Sequence, residues 1–186
     1  AILAIDPRLR GVVLNYNPAV SNTILGNEYT LLAGSRFLQE RLGSLRFQIS
    51  SASFFQVNPL QAENLFTQAL QWTKRVSPRL LIDAYCGVGT LALFLAEAAE
   101  KVIGIEPIED AILDARENGT LNGIHNAFFL ATRAEKRVDL LKTADMLLLN
   151  PPRKGCDPSV LEAALTGQSK TFPQTAHVES ACLLMR

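Results

Sequence analysis

An apolar run that ends in an acid and breaks into a glycine turn, Leu80-Leu81-Ile82-Asp83-Ala84-Tyr85-Cys86-Gly87-Val88-Gly89-Thr90, constrains this chain more than any other stretch. A short continuous apolar run reads as a strand buried on both faces of a parallel sheet. Glycines directly after it let the backbone come close to a ligand at the mouth of the next helix. The pair Gly87-x-Gly89 lacks the third glycine of the dinucleotide fingerprint, since Ala92 stands there. Asp83 at the strand end would repel a pyrophosphate, whereas a carboxylate favours a ligand that carries an amino group and a sulfonium. A second apolar run, Val102-Ile103-Gly104-Ile105-Glu106, follows one helix later and also ends in an acid. A carboxylate at that position accepts hydrogen bonds from ribose hydroxyls. Glycine turn and paired acids together point to S-adenosylmethionine.

The surrounding pattern alternates strand and helix. Helices are expected over 59–74, 91–100 and 108–121, and strands over 102–106, 128–130 and 146–149, the last ending at Asn150. The first helix begins with Pro59 in its first turn, where the missing N–H costs nothing. Strands alternating with helices imply an α/β fold with a parallel sheet and right-handed crossovers, here a Rossmann-like domain over 58–186. Residues 1–57 differ: short extended runs at 11–16, 29–32 and 45–49, separated by Gly, Asn and Pro, have antiparallel β composition. They read as a partial β-rich segment belonging to something larger.

Bulk properties narrow the partners. Lys and Arg match Asp and Glu at 18 each, so no global field draws the chain to nucleic acid, and RNA contact would need a local patch such as Arg36, Arg41, Arg46, Arg153 and Lys154. No apolar run is long enough for a bilayer span and the first residues lack a secretory signal's basic flank, so no membrane partner and a cytoplasmic location are expected. Cys86, Cys156 and Cys182 show no paired spacing, which argues against a disulfide framework or a metal site. Oligomeric state is not encoded in any of these features.

Several motifs coincide in order: Asn15-Tyr16-Asn17-Pro18, Ser53-Phe54-Phe55-Gln56-Val57-Asn58, the Asp83 to Thr90 turn, Gly104-Ile105-Glu106, residues 118–122, Pro151-Pro152-Arg153-Lys154-Gly155, and Phe172-Pro173-Gln174-Thr175-Ala176-His177-Val178-Glu179. Together they resemble the RNA 5-methyluridine methyltransferases, the family that methylates C5 of uridine in tRNA and 23S ribosomal RNA. The resemblance covers nearly the whole chain and implies a class I S-adenosylmethionine-dependent methyltransferase domain. It implies cofactor binding by Gln56, Tyr85, Gly87 and Glu106, with Asn150 at the cofactor and target-base side, and Glu179 as the general base that removes the C5 proton. It also implies an RNA substrate with the uridine out of its stack. Ribosomal RNA is expected over transfer RNA, because the wording Pro-Pro-Arg-Lys-Gly-Cys-Asp is similar to bacterial ribosomal members.

The family's chemistry requires a nucleophile, since C5 of uracil is too electron-poor to attack a methyl group until a cysteine thiolate adds to C6. That cysteine belongs to a Ser-Cys-Asn-Pro segment, on a strand after the Pro-Pro-Arg-Lys-Gly loop, and this sequence contains no such segment. Only six residues separate Leu165 from Phe172, too few for a further crossover, so a segment is expected to be missing between 165 and 172. Cys156 is the substitute thiol to consider, beside Arg153 and Lys154; Cys86 and Cys182 read as packed residues. Two further departures are Asn150, where the family usually has Asp, and Thr132-Arg133-Ala134, where it places glycine and an acid. Two other readings stay open. Asn150-Pro151-Pro152 is similar to the loop of enzymes that methylate exocyclic amines without a cysteine, although Arg153 replaces their aromatic residue. The other is a non-catalytic module that binds S-adenosylmethionine or RNA.

Overall fold

A computed structural model describes residues 2–18, 26, 28–51, 53, 59–152, 155–167 and 170–173. Its centre is a parallel sheet whose middle strands β5, β6 and β8 are mostly buried. Strands β5 (Leu80–Asp83), β6 (Lys101–Glu106), β7 (Ala127–Ala131), β8 (Met146–Leu149) and β9 (Lys170–Pro173) lie in the order β7-β6-β5-β8-β9. All four residues of β8 are buried, as are Leu81, Ile82 and Asp83 of β5. Helices α1 (Pro59–Val76), α2 (Thr90–Leu95), α3 (Glu109–Leu121), α4 (Val138–Leu141) and α5 (Pro158–Thr166) supply the cover. Two hydrophobic clusters result. One joins Leu81, Val102, Met146 and Leu148 with α1 to α3, and the other joins Ile82, Ile103, Leu147 and Leu149 with α4 and α5. Thus the chain is an α/β protein with a Rossmann-like parallel sheet, as the alternation predicts.

The other four strands form two antiparallel hairpins: β1 (Gly11–Tyr16) with β2 (Glu28–Gly34), and β3 (Phe37–Leu42) with β4 (Leu45–Ser50). Strand β3 is absent from the sequence reading, although its signal was present. Leu42 pairs Leu45 across the two-residue loop Gly43-Ser44, and Gly43 has φ +57°, the tight-turn geometry that matches the twist of the flanking strands. This second hairpin is embedded: Leu42, Phe47 and Ile49 lie in the same cluster as Leu81 and Leu93.

Helix α5 and strand β9 also depart from expectation. The helix starts on Asp157, whose carboxylate accepts from the Ser159 N–H at 2.9 Å, with Pro158 in the first turn. An N-cap acid followed by proline is a start signal in its own right. Residues 170–173 then pair in parallel with β8, from Met146↔Lys170 to Leu149↔Pro173. The connection from β8 carries α5 and is long enough for a crossover, so the fifth strand is drawn from the segment read above as the start of the Phe-Pro-Gln-Thr motif. The helix expected over 91–100 stops at Leu95 and tightens into a 3₁₀ turn, Ala96–Ala98.

Helix α3 does more than cover the sheet. Its side chains at 114, 118 and 122 reach the outer edge of β4, the edge that β3 leaves open. Asn122 accepts from the Arg46 N–H at 2.9 Å and donates to the Arg46 carbonyl at 2.7 Å. Asn118 does the same with Gln48, at 2.7 and 3.0 Å. Asp114 accepts from the Ser50 N–H at 2.9 Å and from the Ser53 hydroxyl at 2.7 Å. Four helical residues rise about 6 Å and two strand residues about 6.7 Å, so the two spacings run nearly in step. In effect α3 replaces a third strand and satisfies an edge that would otherwise be left bare.

Candidate functional site

From β5 the chain builds outward in one direction through β6 and β7, and in the other through β8 and β9. Ligands of open α/β sheets bind beyond the carboxyl ends of the strands at such a switch point. Here that edge is notched. Asp83, the last residue of β5, pairs with Gly104 on one side and Leu148 on the other, so β6 runs two residues further to Glu106 and the chain of β8 reaches Asn150. The turn 84–89 fills the notch: the Ala84 N–H donates to the Leu148 carbonyl at 3.1 Å and the Cys86 N–H to the Ile105 carbonyl at 3.0 Å. Three of the residues expected at a site, Gly87, Glu106 and Asn150, therefore meet around one turn.

Two glycines of the turn adopt left-handed backbone, Gly87 at φ +52° and Gly89 at φ +78°, a region in which a Cβ is strained. Their surroundings differ. A Cβ on Gly89 would lie 2.9 Å from the Phe129 ring and 3.0 Å from Ala115, whereas a Cβ on Gly87 would meet nothing within 4 Å. Gly104, beneath the turn, is closed by the same ring, with Phe129 at 2.6 Å and the Cys86 sulfur at 2.8 Å from its notional Cβ. Phe129 is thus the floor of the turn, a role the sequence reading missed. Gly104, on the neighbouring strand, becomes its partner only when β6 and β7 pair.

Glu106 spreads its carboxylate over the mouth of the turn, accepting from the Gly87 N–H at 3.3 Å and the Ile108 N–H at 3.2 Å. Burial raises its pKa, and the two N–H groups oppose that shift. Asp83 is 1% exposed. Burial lifts its pKa from 3.8 to about 7, the N–H groups of Tyr85 and Ala92 pull it down, and the Glu106 charge pushes it further up. Two acids near one another in a poorly solvated place form a latent site for positive charge.

Tyr85 and Cys156 form a pair that joins this turn to the loop after β8. Both side chains sit half-buried against the second hydrophobic cluster. Burial raises the Cys156 pKa and the Tyr85 hydroxyl only partly opposes it, so the thiol stays protonated at neutral pH. Cys86 is buried, and burial reinforced by the charges of Asp83 and Glu106 lifts its pKa well above the usual range. Asn150 is half-buried, and its amide makes no hydrogen bond among the described residues. Gln56, Arg153, Lys154, Glu179 and Cys182 lie outside the described residues. Among those described, no group of three or more His, Cys, Asp or Glu side chains could hold a metal ion, and no helix is long and apolar enough to cross a membrane.

Comparison with known proteins agrees with this geometry. Residues 32–166 match the family model described as tRNA (uracil-5-)-methyltransferase. An uncharacterized RNA methyltransferase of Thermosynechococcus vestitus is 40% identical over 209 residues, covering 94% of this chain and 46% of that protein. Another, from Enterococcus faecalis, is 36% identical over 222 residues, covering all of this chain and 49% of that protein. The chain thus spans less than half the length of these relatives. Among solved structures, the Pyrococcus abyssi tRNA (uracil-54, C5)-methyltransferase in complex with S-adenosyl-L-homocysteine superposes with a TM-score of 0.65 at 24% identity, over 88% of this chain and 41% of that one.

Proposed function

The chain belongs to the tRNA (uracil-5-)-methyltransferase family, and from that premise we propose that it is the methyl-transferring portion of an RNA uracil-C5 methyltransferase that uses S-adenosylmethionine. The observation that carries this reading is the notch itself: Asp83 and Glu106 end β5 and β6, Asn150 directly follows β8, all beside a glycine turn, and Gly87 leaves open the space its side chain would fill. The donor set suits the cofactor. Glu106 accepts from ribose hydroxyls, the Asp83 and Glu106 charges favour the ammonium and sulfonium end, and Gln56 and Tyr85 complete the binding residues that the family resemblance implies. When bound, S-adenosylmethionine supplies the electrophilic methyl group.

The chain's own part in the reaction is to hold that end of the cofactor near Asn150 and to remove the C5 proton of uridine through Glu179. Cys156 is not the nucleophile in this reading, because it sits half-buried against the second hydrophobic cluster and outside the Ser-Cys-Asn-Pro setting that the family resemblance implies. The nucleophile comes instead from a segment missing between residues 165 and 172. A missing stretch somewhere in the chain is in keeping with the relatives: the Enterococcus faecalis alignment runs over 222 positions although the chain has 186 residues, so at least 36 positions of that protein have no counterpart here. Residues 1–57 are then a β-rich segment, of which the β3–β4 hairpin packs into the cluster it shares with the parallel sheet. The substrate is RNA, ribosomal rather than transfer in our reading, and no metal takes part.

Tritium release from RNA carrying 5-tritiated uridine tests the reading. With the relative's missing stretch restored after Leu165, the chain is expected to release tritium when S-adenosylmethionine is added. Without that stretch, release should fall by at least about a thousandfold, the scale on which loss of a covalent catalyst is felt. Methyl transfer to an exocyclic amine, with no tritium released, would overturn the C5 assignment in favour of the Asn-Pro-Pro reading.

A further inference from the structure

The clamp between α3 and β4 touches the cofactor turn at one point. Asn118 is fully buried, and besides its paired bonds to Gln48 its Nδ2 donates to the Val88 carbonyl at 3.3 Å. Val88 lies between the two left-handed glycines. One side-chain amide therefore ties together two elements that are 40 residues apart in sequence: the glycine turn, and the strand whose chain runs on through Ser50 and Ser53 toward Gln56. Asp114 holds that departure point, since its carboxylate takes both the Ser50 N–H and the Ser53 hydroxyl. The choice of side chains follows the partners. Positions 118 and 122 face a backbone N–H and a C=O and need an amide, whereas position 114 faces two donors and needs a carboxylate.

We propose that Asn118 is a positioning residue for the cofactor site, fixing the Gly87–Gly89 turn in register with strand β4, and that Asp114 secures the end of that strand. Asn122 makes the same paired contact with Arg46 one helical turn away, and its amide donates to the Arg46 and Asn118 carbonyls, not to the turn. It is therefore a built-in control. Losing either asparagine leaves one residue of the β4 edge unsatisfied, but only loss of Asn118 also frees the turn.

The inference rests on the cofactor reading above, and the test separates the two. S-adenosylhomocysteine is titrated calorimetrically into the unaltered chain, Asn118→Ala and Asn122→Ala, and amide hydrogen exchange of residues 86–90 is followed in all three without ligand. Asn118→Ala is expected to bind about tenfold more weakly, the scale of one buried hydrogen bond, and to exchange its turn amides about tenfold faster. Asn122→Ala should stay within about twofold of the unaltered chain in both. If Asn118→Ala does not fold, Asn118→Ser, which keeps a small polar group in the pocket but is too short to span Gln48 and Val88 together, takes its place in the same comparison. Asn118 and Asn122 variants that behave alike, whether both are weakened or neither is, overturn the positioning role. An unaltered chain that binds no ligand overturns the cofactor reading and this inference with it.

Discussion

Gly89→Ala is expected to destabilise the protein by about 3 kcal/mol, through two separable causes. A Cβ at φ +78° costs roughly 1 kcal/mol in backbone strain. Pressing it against the Phe129 ring at 2.9 Å and Ala115 at 3.0 Å adds about 2 kcal/mol of overpacking, because Phe129 is itself 4% exposed and has little room to yield. Urea unfolding of the single variant and of Gly89→Ala combined with Phe129→Leu checks the division. The second change should return part of the packing cost while leaving the backbone strain in place. Gly87→Ala should behave in the opposite way. Its Cβ meets no protein atom within 4 Å, so the stability loss is limited to about 1 kcal/mol of strain, while the new methyl group intrudes into the open space of the proposed cofactor site. Equal stability losses for the two glycine variants would contradict the picture of a turn resting on Phe129 and open above Gly87.

Asp83→Asn should change the pH dependence of stability more than any other isosteric substitution in the site. The folded-state pKa of Asp83 is raised from 3.8 to about 7, chiefly by burial. Between those values the folded protein keeps a proton that the unfolded chain releases. The native state therefore loses stability as pH climbs from about 4 to about 7, and the penalty is complete and constant above that window. At 1.36 kcal/mol per pH unit, the full penalty is about 4 kcal/mol. Asparagine cannot ionise and escapes it. It offers one oxygen where the carboxylate served the N–H groups of both Tyr85 and Ala92, which costs roughly 1 kcal/mol at every pH. Urea unfolding at pH 4.5 and pH 8 should show the difference between variant and parent moving by about 3 kcal/mol in the variant's favour. Parallel pH profiles would show that Asp83 ionises freely in the fold. A site that retains such a strained carboxylate is one in which stability has been given up for charge, and a cationic ligand beside it would lower its pKa again.

The parallel sheet was legible because its middle strands are buried: Leu80 to Ile82 and Met146 to Leu149 are continuous apolar runs, and β6 is charged only at its ends. The acids at the strand ends were legible for the same reason, since a charged residue closing an apolar run marks the point where the strand leaves the core. Strand β3 escaped notice because Phe37-Leu38-Gln39-Glu40-Arg41-Leu42 carries charge on an exposed edge and declares itself only through its pairing with β4. Strand β9 was hidden by a different effect: Lys170 to Pro173 has little strand character of its own and is held by its register with the buried β8. Of the site, the glycines and acids could be read from local pattern. The floor under them could not, because Phe129 lies 25 residues past Gly104 and becomes its neighbour only when β6 and β7 pair. Asn118 and Asn122 were visible as a motif, but their purpose depends on a strand edge more than 60 residues earlier in the chain.

The account stands on the notch at the carboxyl edge of β5, β6 and β8 being a site for S-adenosylmethionine. Calorimetric titration of S-adenosylhomocysteine into the unaltered chain and into Glu106→Ala tests it most directly. Saturable binding by the unaltered chain, weakened about tenfold or more in the variant as the loss of a charged hydrogen-bond acceptor requires, is the predicted result. A folded chain that shows no saturable heat at millimolar ligand, or one that binds equally well with and without the Glu106 carboxylate, would contradict it.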